Sequence, residues 1–438
     1  MAEILLVQPP LPKSISEYSS SIILSPPLGL GYIASNLISK GFEVEVIDMA
    51  ALKLDEKKFE SEFRRYDPEI IGITTSTLTY KNALKVAAIA KKLKPKVYTV
   101  IGGPHVTFLP EETLQNSQID IVVRREGENT ILELAHQILK GKKEFQSVKG
   151  ISYRRGDKII HNPERPLIED LDSLPFPARQ LFPLHLYKVP GTIITSRGCP
   201  FKCIFCSANA MSAGRYRVRS PENVIAEVEE IVNRFSIKGI FIADDTFTVF
   251  KERTRKICEA LRKINLIWFC EARVNTVNRE IIQEMTRAGC RTIQFGVESG
   301  SQRILASIRK GITIEQVKKA VKWTVEAGIL PVCSFMVPHP EDTKETIRET
   351  KKFMEQLRDM GALVVISLTT PFPGTYLYTH AKDLGVTIIS DNTDEYDMAT
   401  PVITTKNLSL KEIEEAFDDL IAFCTAQEGF QAIYSWNT

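Results

Sequence analysis

The chain has 438 residues, 43% of them hydrophobic, and a formal net charge of +2, which is enough apolar material for two sizeable cores and a length that points to two or three domains. The near-balanced charge, with Lys and Arg scattered, argues against an electrostatic nucleic-acid clamp. The start, Met1-Ala2-Glu3-Ile4-Leu5-Leu6-Val7, lacks the basic and apolar regions of a signal peptide and no apolar run reaches membrane-spanning length, so the expectation is a cytoplasmic protein whose eight cysteines are thiols or metal ligands.

Over residues 1–150, apolar runs alternate with helical segments: strands at 4–8, 44–47, 70–74, 97–101 and 119–123, and a helix at 28–39 stopped by Gly41. Such alternation predicts a parallel sheet covered on both faces. The loops after these strands carry Gln8-Pro9-Pro10, Asp48, Thr74-Thr75-Ser76, Gly102-Gly103-Pro104-His105-Val106 and Glu126-Gly127-Glu128. In open sheets of this kind, ligands sit beyond the carboxyl ends of the strands. Paired glycines let the backbone approach a ligand, or simply make a turn. Small hydroxyl residues after a strand hydrogen-bond a ligand without blocking it, or cap a helix.

Residues 148–162 read as a hairpin turning at Arg155-Gly156-Asp157. Pro163, Pro166, Pro175, Pro177, Pro183 and Pro190 then favour a stiff, extended connector, so that 151–190 form a linker. From 191 to 384, strand-like runs at 192–195, 239–243, 267–272, 292–297, 331–337 and 364–369 leave room for helices between them. Six strand-helix units predict a partial barrel, in which functional groups gather at the carboxyl ends of strands. Asp244-Asp245, Glu271, Arg273, Glu298 and Pro371-Phe372-Pro373-Gly374-Thr375 fall there. Asp244-Asp245 also fits an ordinary N-cap, and Arg273 a surface salt bridge. In the remainder, 385–438, a helix over 410–427 capped by Ser409 is the main feature.

The most informative run is Arg197-Gly198-Cys199-Pro200-Phe201-Lys202-Cys203-Ile204-Phe205-Cys206. Three thiolates on one loop can hold three irons of a four-iron, four-sulfur cluster and leave the fourth iron open to a small molecule. A structural zinc site usually draws four ligands from two separated pairs, and no second Cys or His pair is placed to complete one. Cys258, Cys270, Cys290, Cys333 and Cys424 sit mostly among apolar neighbours and read as small buried hydrophobes.

The cysteine spacing, with an aromatic residue before the last cysteine, resembles the signature of the radical S-adenosylmethionine (AdoMet) family. The loops of residues 1–150, the entry Pro26-Pro27-Leu28-Gly29-Leu30 and the order of the domains resemble the cobalamin-dependent radical AdoMet subfamily. The resemblance implies an α/β chain: a doubly wound, Rossmann-like parallel-sheet domain binding cobalamin at 1–150, a partial (β/α)6 TIM-like radical AdoMet barrel at 191–384, and a short, mainly helical C-terminal region. It implies that Cys199, Cys203 and Cys206 hold the cluster. Contacts to AdoMet are then expected from Phe205, Asp244, Asp245, Glu271, Arg273, Glu298 and Ser299. Contacts to cobalamin are expected from Gln8, Pro9, Leu28, Asp48, Thr74, Thr75, Ser76, Gly102, Gly103, His105, Val106, Glu126, Gly127 and Glu128.

The chain has no Asp-x-His-x-x-Gly stretch, so base-off cobalamin without a histidine on cobalt is expected, with His105 a loop contact. Arg125 stands where related sequences often carry Gly, and in Phe335-Met336-Val337-Pro338-His339-Pro340-Glu341-Asp342-Thr343 the residues Pro338 and Glu341 replace two glycines of the related stretch. His339 is left between a role toward substrate and a turn cap.

By the same resemblance, AdoMet chelates the open iron and is split into methionine and a 5'-deoxyadenosyl radical. The activity implied is a C-methyltransferase acting at an unactivated carbon, with AdoMet as both radical and methyl source. No general base is required, and no catalytic residue at the substrate is identified. A small-molecule, lipid or peptide substrate and an external electron donor such as flavodoxin or ferredoxin are the partners implied. A cyclase or rearrangement enzyme with the same cofactors is the alternative, and a non-catalytic cobalamin or redox sensor is the alternative of another class.

Overall fold

In β1 (Ile4–Gln8), the first strand of the computed structural model, Ile4 and Leu6 face one hydrophobic core while Leu5 and Val7 face another. That is the period-2 alternation of a strand buried on both faces. There follow α1 (Leu28–Ile38), β2 (Val44–Asp48), α2 (Glu56–Tyr66), β3 (Ile70–Thr74), α3 (Tyr80–Leu93) and β4 (Tyr98–Gly102). Short helices α4 (Pro104–Phe108) and α5 (Pro110–Gln115) lead to β5 (Ile121–Val123) and α6 (Glu128–Leu139), and β6 (Ile151–Arg155) and β7 (Lys158–His161) form a hairpin. The structure describes residues 2–12, 25–141 and 143–427. The chain divides into two units, Met1–Lys188 and Val189–Thr438.

The strands of the first unit lie in the order β2-β1-β3-β4-β5-β6-β7, parallel through β5 and antiparallel in the last two pairings. The hairpin expected in the linker is instead the antiparallel edge of this sheet, with Ile151 and Tyr153 buried. Leu30, Leu37 and Leu134 of α1 and α6 cover one face, and Phe59, Phe63, Ala83 and Ala87 of α2 and α3 cover the other. The sheet is therefore doubly wound, and strand order reverses between β1 and β3, where such sheets bind ligands. The proline-rich connector packs back on the same unit. Ala178 N–H donates to the Gly31 carbonyl at 3.0 Å, and a Cβ added to Gly31 would lie 2.9 Å from Pro177 Cβ.

The second unit opens with β8 (Thr192–Ile193) and β9 (Ser196–Arg197), then α7 (Ala208–Met211), β10 (Arg217–Val218) and α8 (Pro221–Phe235). Alternation continues through β11 (Gly239–Ile242), α9 (Lys251–Ile264), β12 (Ile267–Ala272), α10 (Arg279–Arg287) and β13 (Cys290–Glu298). Next come α11 (Gln302–Ser307), α12 (Ile314–Glu326), β14 (Leu330–Val337), α13 (Lys344–Asp359), β15 (Leu363–Leu368) and α14 (Tyr376–Thr379). Six strands run parallel in the order β15-β14-β13-β12-β11-β8, an open, partial barrel. Its helices bury one stripe each: α9 buries Thr254, Ile257, Cys258 and Leu261, the spacing of one helical face.

Beyond α14, β16 (Val386–Ile388) and β17 (Ile403–Thr405) pair antiparallel, a feature with no counterpart in the sequence expectation, before α15 (Leu410–Thr425). A capping box of Ser409 and Glu412 starts α15. After it, Gln427 bonds both Val364 N–H and Val364 carbonyl, at 3.0 and 2.8 Å, and so covers the edge of β15. The remainder of the expected C-terminal region, 428–438, lies outside the described residues. No helix among the described residues is long and apolar enough to cross a membrane.

Candidate cofactor sites

The cysteine run begins where β9 ends. Gly198 has φ +88, and a Cβ there would lie 2.2 Å from the Arg215 carbonyl oxygen, so only glycine fits the entry to the loop. Cys199 is buried, Cys203 half-buried and Cys206 open to solvent. The loop is tied down from both sides: Ile204 N–H donates to the Ile308 carbonyl at 3.2 Å, and Leu377 N–H donates to the Ile204 carbonyl at 2.8 Å. Desolvation by surrounding protein pushes the Cys206 thiol up to about 12, with Asp245 and the other two thiols adding to the rise. Cys206 combines this crowding with solvent exposure, as expected of a group inside a recess. Burial likewise raises Cys199, whose Sγ lies 3.8 Å from Thr246 Oγ1. Among the described residues no three metal-binding side chains converge tightly enough to hold a single ion. Thiolates that each bind a different iron need not converge on one point, and the donor set of three thiols on one anchored loop fits a cluster.

Asp244 and Asp245, paired in the sequence expectation, are separated in the structure. Asp244 is 1% exposed, and its two oxygens accept from Thr195 N–H (2.6 Å), Thr195 Oγ1 (2.5 Å), Ser196 N–H (3.0 Å) and Ser196 Oγ (2.7 Å). Its acceptor capacity is spent holding the strand that enters the cysteine loop, so it is a buttress rather than an open contact for AdoMet. Arg253 Nη2 donates to the Thr195 carbonyl at 2.7 Å, and Arg219 pairs with buried Glu227 beside it. Asp245 is exposed; crowding, then Asp244, raises its carboxyl above the ordinary range.

Glu271 is the penultimate residue of β12 and is half-buried; desolvation, followed by Asp245, Glu298 and Asp244, pushes its carboxyl up to about 7, against the lowering effect of Lys310. Glu298 ends β13 with φ +73, where a bulge shifts the register against β14. Its side chain lies over Gly296, at which a Cβ would sit 2.5 Å from Glu298 Oε1 and 2.8 Å from Lys310 Nζ. Lys310 donates to Glu298 at 2.6 Å, and both are buried. Nothing in its sequence neighbourhood singled out Lys310; it follows a short helix, and only the fold brings it to the end of β13. Ser299, an expected AdoMet contact, is 1% exposed and turned to α13, with Oγ 3.2 Å from Thr350 Oγ1.

His339 is fully buried beyond β14. Its backbone N–H donates to Asp342 at 2.7 Å, and its Nε2 lies 3.2 Å from the Glu298 carbonyl, which marks Nε2 as the protonated nitrogen. The turn is thus capped by Asp342 rather than by the imidazole. Phe205 brings the cysteine loop to these strand ends, its ring 6.0 Å from that of His339 and 5.7 Å from Lys310 Nζ.

In the first unit, Gln8, Thr74, Ser76, Gly102, Gly103, Glu126 and Gly127 reach solvent at the carboxyl ends of β1, β3, β4 and β5. Pro9, Leu28, Asp48, Thr75, His105, Val106 and Glu128 are buried. Asp48 is engaged on both oxygens, accepting from Ala51 N–H at 3.0 Å and Tyr187 OH at 2.8 Å, so it anchors the connector instead of facing a ligand. Gly103 has φ +113, and a Cβ there would meet the Thr75 carbonyl at 2.2 Å. The close approach that this glycine permits is therefore between two loops. His105 is enclosed: Nδ1 lies 3.2 Å from Thr77 Oγ1, the Tyr80 ring is 4.2 Å away, and burial lowers its pKa to about 4. Its Nε2 is buried without a partner among the described residues. Glu126 accepts from Ile168 N–H at 2.8 Å, and Arg125 carries φ +63, the left-handed conformation that a glycine would adopt without strain. The set open to solvent straddles the β1/β3 reversal, as a large planar ligand beyond the strand ends requires.

Family models match the chain twice: the B12 binding domain over residues 24–135 and the radical SAM superfamily over 193–354. The chain is 38% identical over 420 residues to the uncharacterized methyltransferase PH0819 of Pyrococcus horikoshii, covering 94% of this chain and 90% of that one. It belongs to the B12-binding radical AdoMet family. This member of the family is also 29% identical to the anaerobic magnesium-protoporphyrin IX monomethyl ester cyclase of Rubrivivax gelatinosus, over 86% of this chain and 70% of that protein. Its fold is shared with the radical AdoMet methyltransferase TsrM from Kitasatospora setae, solved with cobalamin and a four-iron, four-sulfur cluster bound: TM-score 0.78, 18% identity, 97% of this chain and 89% of that one.

Proposed function

We propose that this enzyme of the radical AdoMet family is a cobalamin-dependent methyltransferase that methylates an unactivated carbon. The observation that carries the reading is the anchored loop of Cys199, Cys203 and Cys206 at the ends of barrel strands, in a chain whose other unit opens a β1/β3 reversal to solvent. Cobalamin belongs to the unit Met1–Lys188, held by the solvent-reaching loops at Gln8, Thr74, Ser76, Gly102, Gly103, Glu126 and Gly127. The cluster and AdoMet belong to Val189–Thr438. When bound, the cluster supplies the electron that splits AdoMet to methionine and a 5'-deoxyadenosyl radical, and cobalamin supplies the methyl group for the substrate carbon.

The chain's own residues hold these groups. Cys199, Cys203 and Cys206 would hold the cluster as thiolates, and because burial raises the Cys199 and Cys206 thiols, loading would be pH-dependent. Asp245 and Glu271 offer carboxyl oxygens for the AdoMet amine or ribose, and Phe205 packs beside Lys310 and His339 to enclose the site. Lys310 places a cation at the acidic strand ends, its charge compensated by Glu298. The cluster's electron comes from an external one-electron carrier.

The test is anaerobic reconstitution with iron and hydroxocobalamin, followed by iron content and the cobalamin spectrum of wild type and the Cys199→Ala, Cys203→Ala, Cys206→Ala variant. Stoichiometric cobalamin in both, with the cluster lost only in the variant, is expected. A cluster that survives in the variant refutes the assignment of the thiols. The similarity to a cyclase favours a second reading, a radical cyclisation with the same cofactors. Product mass separates the two: a gain of one methylene per transfer marks methylation, and its absence marks the cyclase.

A further inference from the structure

We propose that Arg273 positions Cys203 and raises the reduction potential of the cluster bound there, rather than clasping the AdoMet carboxylate. The inference rests on the assignment of the cluster to Cys199, Cys203 and Cys206. A guanidinium grips a carboxylate with two parallel N–H donors from one edge of its fork. In Arg273, which is 5% exposed, that edge is divided: Nη1 donates to Cys203 Sγ at 3.5 Å and Nη2 to the Lys310 carbonyl. Nε donates to Asn275 Oδ1 at 3.3 Å, and the flat face lies 3.7 Å from the centroid of Phe201. Phe201 belongs to the cysteine loop, so the same side chain that bonds the sulfur is stacked on the segment that carries it.

A positive charge and a hydrogen bond at a ligating sulfur favour the more negative, reduced cluster, and hydrogen bonds to sulfur are an established lever on such potentials. Arg273 supplies both at Cys203. Its bond to the Lys310 carbonyl fixes it against the turn that presents the Lys310–Glu298 pair, so its position follows from the fold of β12 and the turn after α11.

Wild type, R273Q and R273K are reconstituted anaerobically, the cluster is titrated with dithionite and mediators by EPR, and AdoMet binding is measured by equilibrium dialysis. R273Q is expected to keep its iron and to shift negative by about 59 mV, a tenfold lower ratio of reduced to oxidised cluster at a fixed potential. AdoMet affinity stays within about twofold of wild type, a small change on the scale of 1.4 kcal/mol per tenfold. R273K, which keeps the charge without the fork, falls between. A wild-type potential in R273Q with AdoMet binding weakened about tenfold overturns the proposal and returns Arg273 to the carboxylate. If R273Q fails to hold iron, Phe201→Leu removes the ring beneath the guanidinium and leaves every thiol; a negative shift there supports the proposal and a wild-type potential overturns it. A cluster retained in the triple cysteine variant would refute the underlying assignment instead.

Discussion

Glu271 is the side chain at which burial at the barrel mouth, with other acids close by, bears on stability. Its carboxyl is raised from 4.5 to about 7 because ionising it means placing a charge in a crowded site beside Asp245, Glu298 and Asp244. A carboxyl raised on folding contributes stability that is complete below the unfolded value and is lost as pH rises through the folded one. The window is therefore pH 4.5 to 7. Glu271→Gln, which cannot ionise, should make the apo protein more stable than wild type at pH 8 by about 3 kcal/mol and leave it within about 1 kcal/mol of wild type at pH 5. Urea unfolding at the two pH values checks this; equal differences at both would refute it. Asp244 is the contrasting acid. Its two oxygens accept from four donors, and it does structural work that its neighbour Asp245 does not. Nothing in Ala243-Asp244-Asp245 distinguishes the two, because which carboxylate turns inward depends on Thr195 and Ser196, nearly fifty positions earlier in the chain.

At the scale of elements, the loops after β3 and β4 behave as one piece. Thr75 N–H donates to the Gly102 carbonyl at 2.9 Å, and Gly103 rests against the Thr75 backbone. Gly103→Ala combines a left-handed φ with a backbone clash and is expected to cost about 2–4 kcal/mol. Because both loops lie on the side proposed for cobalamin, the substitution should also weaken cobalamin binding, read by spectral titration. Retained stability would show that the loops are not packed as described. The strands were legible because β-branched runs recur at intervals, and Ile70–Thr74 and Ile267–Ala272 coincide with the runs expected. The hairpin Ile151–His161 was legible as a hairpin but not as a sheet edge, since its partner β5 is chosen by register with Ile121 and Val123 rather than by any local signal. The β16–β17 pair has only three residues per strand, too short for periodicity to announce it.

For the whole molecule, each proposed cofactor should stabilise the unit that holds it. Cobalamin at about 100 times its Kd adds about 2.7 kcal/mol to a unit that binds it only when folded. Hydrogen exchange is expected to slow in β1, β3 and β4 and in the loops at their carboxyl ends. Protection confined to residues 189–427 would place the cobalamin site elsewhere. By itself the sequence determined the α/β alternation, the order of the two family domains and the three thiols on one loop, because periodicity and spacing are local properties. Only the tertiary structure decided which polar residues are free to meet a ligand. Asp48, Asp244 and Ser299 are consumed by Tyr187, Thr195 with Ser196, and Thr350, while Lys310 is carried to Glu298 and Arg273 to Cys203. Those pairings join residues far apart in the chain, and a buried polar group takes whichever partner the packing supplies.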